Sequence, residues 1–190
     1  MIASTTFHAR DCQRFFEYWK GLPKNGVAPD RSAFDPVAIR DLTPMMVMVE
    51  YQTLETAHFR YAGSKLTEIL GFDPTRSRYL DLLEESAVGS FFNASLPMLH
   101  VPCGGRFNIK TQSATGYFMN CEAVDLPFVN SRDGTWIVMA LIGILGITGM
   151  HDERSFRILE IENSEWIDIG AGLPGPETAT KLAPLAAGER

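Results

Sequence analysis

Residues 135–149 read TWIVMALIGILGITG, a run without a charged side chain and rich in β-branched residues and glycine. A membrane-spanning helix needs about 20 consecutive apolar residues, so a run this short and this β-branched predicts a strand. A strand with one wet face would alternate apolar and polar residues; this one does not, which predicts cover on both faces. It is read as the central strand of a sheet, with helices of its own domain on one side and a second element or a second chain on the other.

The 190 residues suffice for one ordinary domain with extensions, and 45% hydrophobic with 21% charged content is that of a globular chain. A net charge of −6 provides no basic stripe for a phosphate backbone, so no nucleic acid is expected. Cys12, Cys103 and Cys121 are odd in number and form no CxxC pair, which predicts buried free thiols rather than disulfides or a zinc site. The opening MIASTTFHARD lacks the apolar run of a signal peptide and no segment is long enough to span a bilayer, so a cytoplasmic location is expected.

From Asp11 to Lys20, Cys12, Phe15, Phe16 and Trp19 recur at helical spacing on one face, and Gly21, Leu22 and Pro23 end the helix. Residues 21–33 read as a linker. Phe34, Asp35 and Pro36 open a short helical turn, then Met45–Tyr51 and His58–Ala62 read as two strands joined by a polar turn at Gln52–Ala57. Short helices are predicted at Lys65–Leu70 and around Tyr79–Leu83, and a longer one over Ser86–Leu99 with a stripe of Val88, Phe91, Phe92 and Leu96. Strands return at Gly105–Thr111, Tyr117–Leu126 and Trp136–Ile147, with a turn at Asn130–Gly134 that ends in the hairpin dipeptide Asp133-Gly134. The expected fold is α+β: a five-stranded antiparallel sheet, short helices on one face and an N-terminal amphipathic helix. The division is 1–33 for helix and linker, 34–150 for the domain, 151–169 for an extension that either extends a strand or covers an edge, and 170–190 for a Gly/Pro/Ala-rich tail expected to be disordered.

Three segments carry a resemblance beyond topology: Phe16 to Trp19 with Leu22; Pro29, Asp30 and Arg31 with Phe34, Asp35, Pro36, Ile39, Leu42 and Pro44; and Phe59, Arg60 and Tyr61 with Gly63, Ser64, Leu70, Gly71 and the stretch Asp73–Leu80. Glu122 with Leu126, Pro127 and Phe128 is a fourth, weaker match. In their order and spacing these resemble the small stand-alone bacterial PAS proteins that carry an N-terminal helix and no output domain. The match departs from the family where a turn glycine is expected and Ser77 stands. The resemblance implies a regulatory or interaction role.

No nucleophile–base pair, convergent carboxylates or phosphate loop is recognisable: Glu84-Glu85 and Asp152-Glu153 are merely adjacent, and Gly104-Gly105 precedes a strand. The chain is therefore read as a non-enzyme. Cys103 lacks the motif of a photoreactive flavin domain, and His100, near where haem-binding relatives place an axial ligand, has no supporting group, so no cofactor is expected. The leading reading is a homodimeric signalling module that binds another signalling protein, such as a sensor kinase, with the helix at 11–20 (Phe15, Phe16, Tyr18, Trp19) and the last strands, including Trp136, in the dimer interface. The alternative is a small-ligand sensor whose pocket is lined by Phe59, Leu70, Phe91, His100, Phe107, Phe118 and Met139, with Arg60, Arg106 and Lys110 as anchors for an anion.

Overall fold

The structure, a computed structural model, describes residues 5–51, 56–152 and 154–175. Its elements are α1 (Arg10–Gly21), β1 (Met46–Tyr51), β2 (His58–Ala62), α2 (Ser64–Leu70), a 3-10 turn (Tyr79–Leu82), α3 (Glu85–His100), β3 (Gly104–Gln112), β4 (Tyr117–Val129), β5 (Trp136–Met150) and β6 (Arg157–Ile167). The strands form one antiparallel sheet in the order β2-β1-β5-β4-β3-β6. The uncharged run is β5, paired on both sides by β1 and β4 along its first half, as its composition requires.

The sheet has six strands where five were expected. β6 pairs along the outer edge of β3, and its polar residues occupy the wet side of an edge strand: Lys110 on β3 meets Glu160 and Glu162 at 3.1 and 2.6 Å. Those carboxylates, with Asn163 and its positive φ of 44°, break the alternation by which a strand is recognised. Indole Nε1 of Trp166 donates to the Ala94 carbonyl of α3 at 3.0 Å, which ties the new edge to the helix layer.

Side-chain alternation along the strands sends one residue set to each face of the sheet. α2, the 3-10 turn and α3 cover one face, and Leu66, Leu70 and Phe91 are buried against Val47, Phe59, Val138 and Ala140. Two glycines shape this layer's entry and exit. A Cβ on Gly63 would stand 2.2 Å from the Thr43 carbonyl oxygen, and Gly71 ends α2 at φ 79°.

α1 covers the opposite face, and here the expected dimer interface needs correction. Phe15, Phe16 and Trp19 are almost wholly inaccessible within their own chain, packed with Val124, Leu126, Phe128, Ile137, Met139 and Leu141. Trp19 Nε1 donates to the Pro127 carbonyl at 3.0 Å. Tyr18 is half-buried beside Phe34, accepting the Asp35 N–H at 2.7 Å. The flank of that wide aromatic surface is covered within the chain by Leu22, Val27 and Phe34. The linker over 21–33 is itself held to the end of β4 and the turn after it: Val129 N–H donates to the Pro29 carbonyl and Ser131 N–H to the Asp30 carboxylate. The expected turn at Gln52–Ala57 and the tail from 176 onward lie wholly or mostly outside the described residues.

Candidate functional site

Three adjoining cavities lie between the sheet and the helix layer. The first, about 70 Å³, is apolar and lined by Phe59, Leu66, Leu70, Met119, Ile142 and Phe156 among others. The second, about 30 Å³, is bounded by Phe91, Phe107, Ala123, Val138 and Ile161. Tyr79 stands between them, stacked on Phe59 at 5.2 Å and on Phe91 at 4.6 Å between ring centroids. The third, about 20 Å³, lies under Ser95, Met98, Cys103 and Trp136. Asp125 lines both the second and the third.

Of the pocket residues expected from the sequence, Phe59, Leu70, Phe91 and Phe107 are thus brought together. His100, Phe118 and Met139 are not. His100 is the exposed last residue of α3 and lines none of these cavities. Met139 and Phe118 project from the other face of the sheet, Met139 into the α1 core and Phe118 towards His151 at 6.0 Å. Strand parity decides this: Val138 and Met119, one residue away, face the helices. Trp136, expected at an interface, instead borders the third cavity. Asp125 was missed because an aspartate inside an apolar strand carries no motif; its odd register with Cys121 and Ala123, which face the helices, was the available signal.

The three cations offered as anion anchors are already paired. Arg60 makes a two-pronged contact with Glu50 at 2.8 and 2.9 Å, Lys110 meets the two β6 carboxylates, and Arg106 lies between Glu122 at 2.6 Å and Glu165 at 3.2 Å. Glu122, fully buried, also accepts the backbone N–H groups of His8 at 3.0 Å and Ala9 at 2.7 Å. A carboxylate from β4 thereby caps α1, whose own N-cap residue, Ala9, has no side-chain acceptor. Gly143 on β5 makes room for this docking, since a Cβ there would lie 2.4 Å from that of Ala9.

All three thiols are buried and held protonated. Burial pushes Cys103 up to about 12 and Cys121 up to about 11, and burial beside Glu122 raises Cys12 further still. Burial also raises Tyr79, and it pushes the Asp125 carboxyl up to about 7. Among the described residues no three His, Cys, Asp or Glu side chains converge as metal ligands, and no helix is long and apolar enough to cross a membrane.

A different surface stands out at the end of β5. β1 pairs with it only as far as Met46 opposite Leu141, whereas β5 runs on to Met150 with β4 as its sole described neighbour. Residues 142–150 (IGILGITGM) therefore offer a strand edge with no charge and no proline. Ile147 and Met150 are each 63% exposed, and Ile144 and Leu145 each 44%. The prediction of cover on both faces of this run holds for its first half and fails for its second.

A family model described as a PAS domain matches residues 7–145, from the segment that docks α1 through most of β5. No curated protein matches the chain.

Proposed function

The chain belongs to the PAS-domain family, a family of signalling and sensory modules, and we propose that it acts as a non-enzymatic regulatory module, a homodimer that passes its state to another signalling protein such as a sensor kinase. The observation that carries the dimer is the β1-side edge of β5 beyond Leu141, with which no described strand pairs. Exposed edges recruit other strands unless lysine, proline or inward charge blunts them, and residues 142–150 hold none of these. The occupant proposed is a second copy of the same edge, paired antiparallel about a two-fold axis near Gly146. With no charge in the segment, like meets like without repulsion, and Ile144, Leu145, Ile147 and Met150 gain cover from their own counterparts. The interface of this reading therefore keeps β5, one of the strands expected there, and leaves out the α1 aromatics.

The neutral, buried thiols support a non-catalytic role, since a protonated thiol is a poor nucleophile. Light scattering after gel filtration tests the assembly. The full chain is expected to elute with the mass of a dimer at tens of micromolar, and Ile147→Lys with the mass of a monomer of unchanged thermal stability. A monomeric wild-type chain, or a variant that stays dimeric, refutes the β5 interface. A second reading, a small-ligand sensor, is favoured by the cavities between sheet and helices. At about 70 Å³ for the largest, they are far below the roughly 300–1,000 Å³ of sites for drug-sized molecules, so the ligand of this reading is small.

A further inference from the structure

The three cavities share walls in series: Val47, Tyr79, Ile109 and Ile142 between the first and second, and Ser95, Asp125 and Val138 between the second and third. Along this series Asp125 is the one acidic lining residue. Among the described residues no hydrogen bond or ion pair reaches its carboxylate. Asp125 is part-buried rather than sealed off, and the apolar walls around it disfavour its charged form, which is why its proton is held to about pH 7. Among the described residues, the elements packed around it bring no cation. The 3-10 turn presents Tyr79, the segment before β3 presents Cys103, and α3 presents Ser95 and Met98; through the sheet, α1 presents Cys12. Burial raises both Tyr79 and Cys103, so both are neutral wherever Asp125 titrates.

Resting on the ligand-sensor reading, we propose that this is a binding site for a small organic cation, a short-chain primary alkylamine, whose ammonium pairs with Asp125 while its alkyl chain lies along the Tyr79 and Phe91 rings towards the first cavity. The head group follows from charge: an ammonium supplies the missing partner, whereas a carboxylate would meet a like charge. Ser95 offers a second acceptor at the same end. The tail follows from the walls, which beyond Asp125 and Ser95 are Val47, Phe107, Ile142 and similar side chains. Chain length is limited by cavities of about 70, 30 and 20 Å³.

The test is a two-dimensional NMR titration of the full chain with n-pentylamine, 1-pentanol and pentanoate. Pentylamine is expected to give saturable shifts at Ser95, Phe107 and Asp125, with pentanol at least tenfold weaker and pentanoate without effect. In Asp125→Asn, which keeps the side chain's size, the amine's affinity should fall to that of pentanol. In the wild-type chain the amine's affinity should also fall about tenfold from pH 8 to pH 6, because the carboxylate is neutralised through about 7 while the ammonium keeps its charge. Amine binding that is equal in the variant, or flat between these pH values, overturns the assignment. If pentanol saturates the cavities and the amine has no advantage, the sensor reading stands and the cation is wrong; if none of the three binds, both fail.

Discussion

Replacing Glu122 should release the N-terminal helix from the sheet while leaving the rest of the fold standing. The carboxylate is fully buried and receives His8 N–H, Ala9 N–H and Arg106 Nε, all at 3.1 Å or less. In Glu122→Leu, Arg106, itself only 9% exposed, keeps Glu165 at 3.2 Å but loses its closest partner. Breaking a buried pair from one side costs about 3–5 kcal/mol. The two orphaned N–H groups are nearer to solvent, and the helix end can lift to reach it, so they add less than the full buried penalty of roughly 1–3 kcal/mol each. Glu122→Gln keeps an acceptor oxygen but loses its charge, which should cost about 2 kcal/mol, the usual range for a hydrogen bond to a charged group. Urea denaturation measures the loss, and hydrogen exchange shows where it falls: amides of residues 8–21 should lose protection in both variants while those of β4 and β5 retain it. The double variant Glu122→Leu, Arg106→Leu should be less destabilised than the sum of the singles, because no charge is left stranded. A Glu122→Gln variant within about 0.5 kcal/mol of wild type, the range of ordinary surface substitutions, would refute the anchoring role.

Gly143→Ala forces a methyl into the 2.4 Å approach of Ala9 and should cost about 1–3 kcal/mol by overpacking, with the same loss of protection over α1; an unchanged melting temperature would show that the helix is not seated there. Asp125 should make stability fall as pH rises. Its folded value is raised to about 7 from an ordinary carboxylate value near 3.8, so between these the folded chain holds more protons than the unfolded one. Asp125→Asn should flatten that slope in thermal melts and exceed the wild type in stability at about pH 8; a variant with the wild-type pH profile would place the carboxylate in water.

Short-range patterns made much of this molecule legible in its residues. The 3.6-residue recurrence of Cys12, Phe15, Phe16 and Trp19 defines α1, and the uncharged run from Trp136 defines β5, because period and polarity are local properties that survive any tertiary arrangement. Phe59, Leu70, Phe91 and Phe107 were recognisable as cavity lining, since apolar residues on elements that cross one face of a sheet converge there. Parity errors of a single residue misplaced Phe118 and Met139, because each strand presents two faces and only the paired sheet says which one the helices cover.

The destination of the α1 aromatics was decided at a distance. A helix with so broad an aromatic surface is equally suited to its own sheet or to a partner. What seats it inside is Glu122, well over 100 residues away, the vacancy at Gly143, and a linker stapled to β4. The carboxylates of β6 conceal a strand until the edge of β3 is there to receive it. Likewise, the amino acids of β5 declare that the run is uncharged, but only its register with β1 shows that pairing stops at Leu141 and leaves the remainder open. Composition sets what each segment would bury. Which surface is available to bury it depends on contacts between segments far apart in the chain, and these exist only once the sheet has formed.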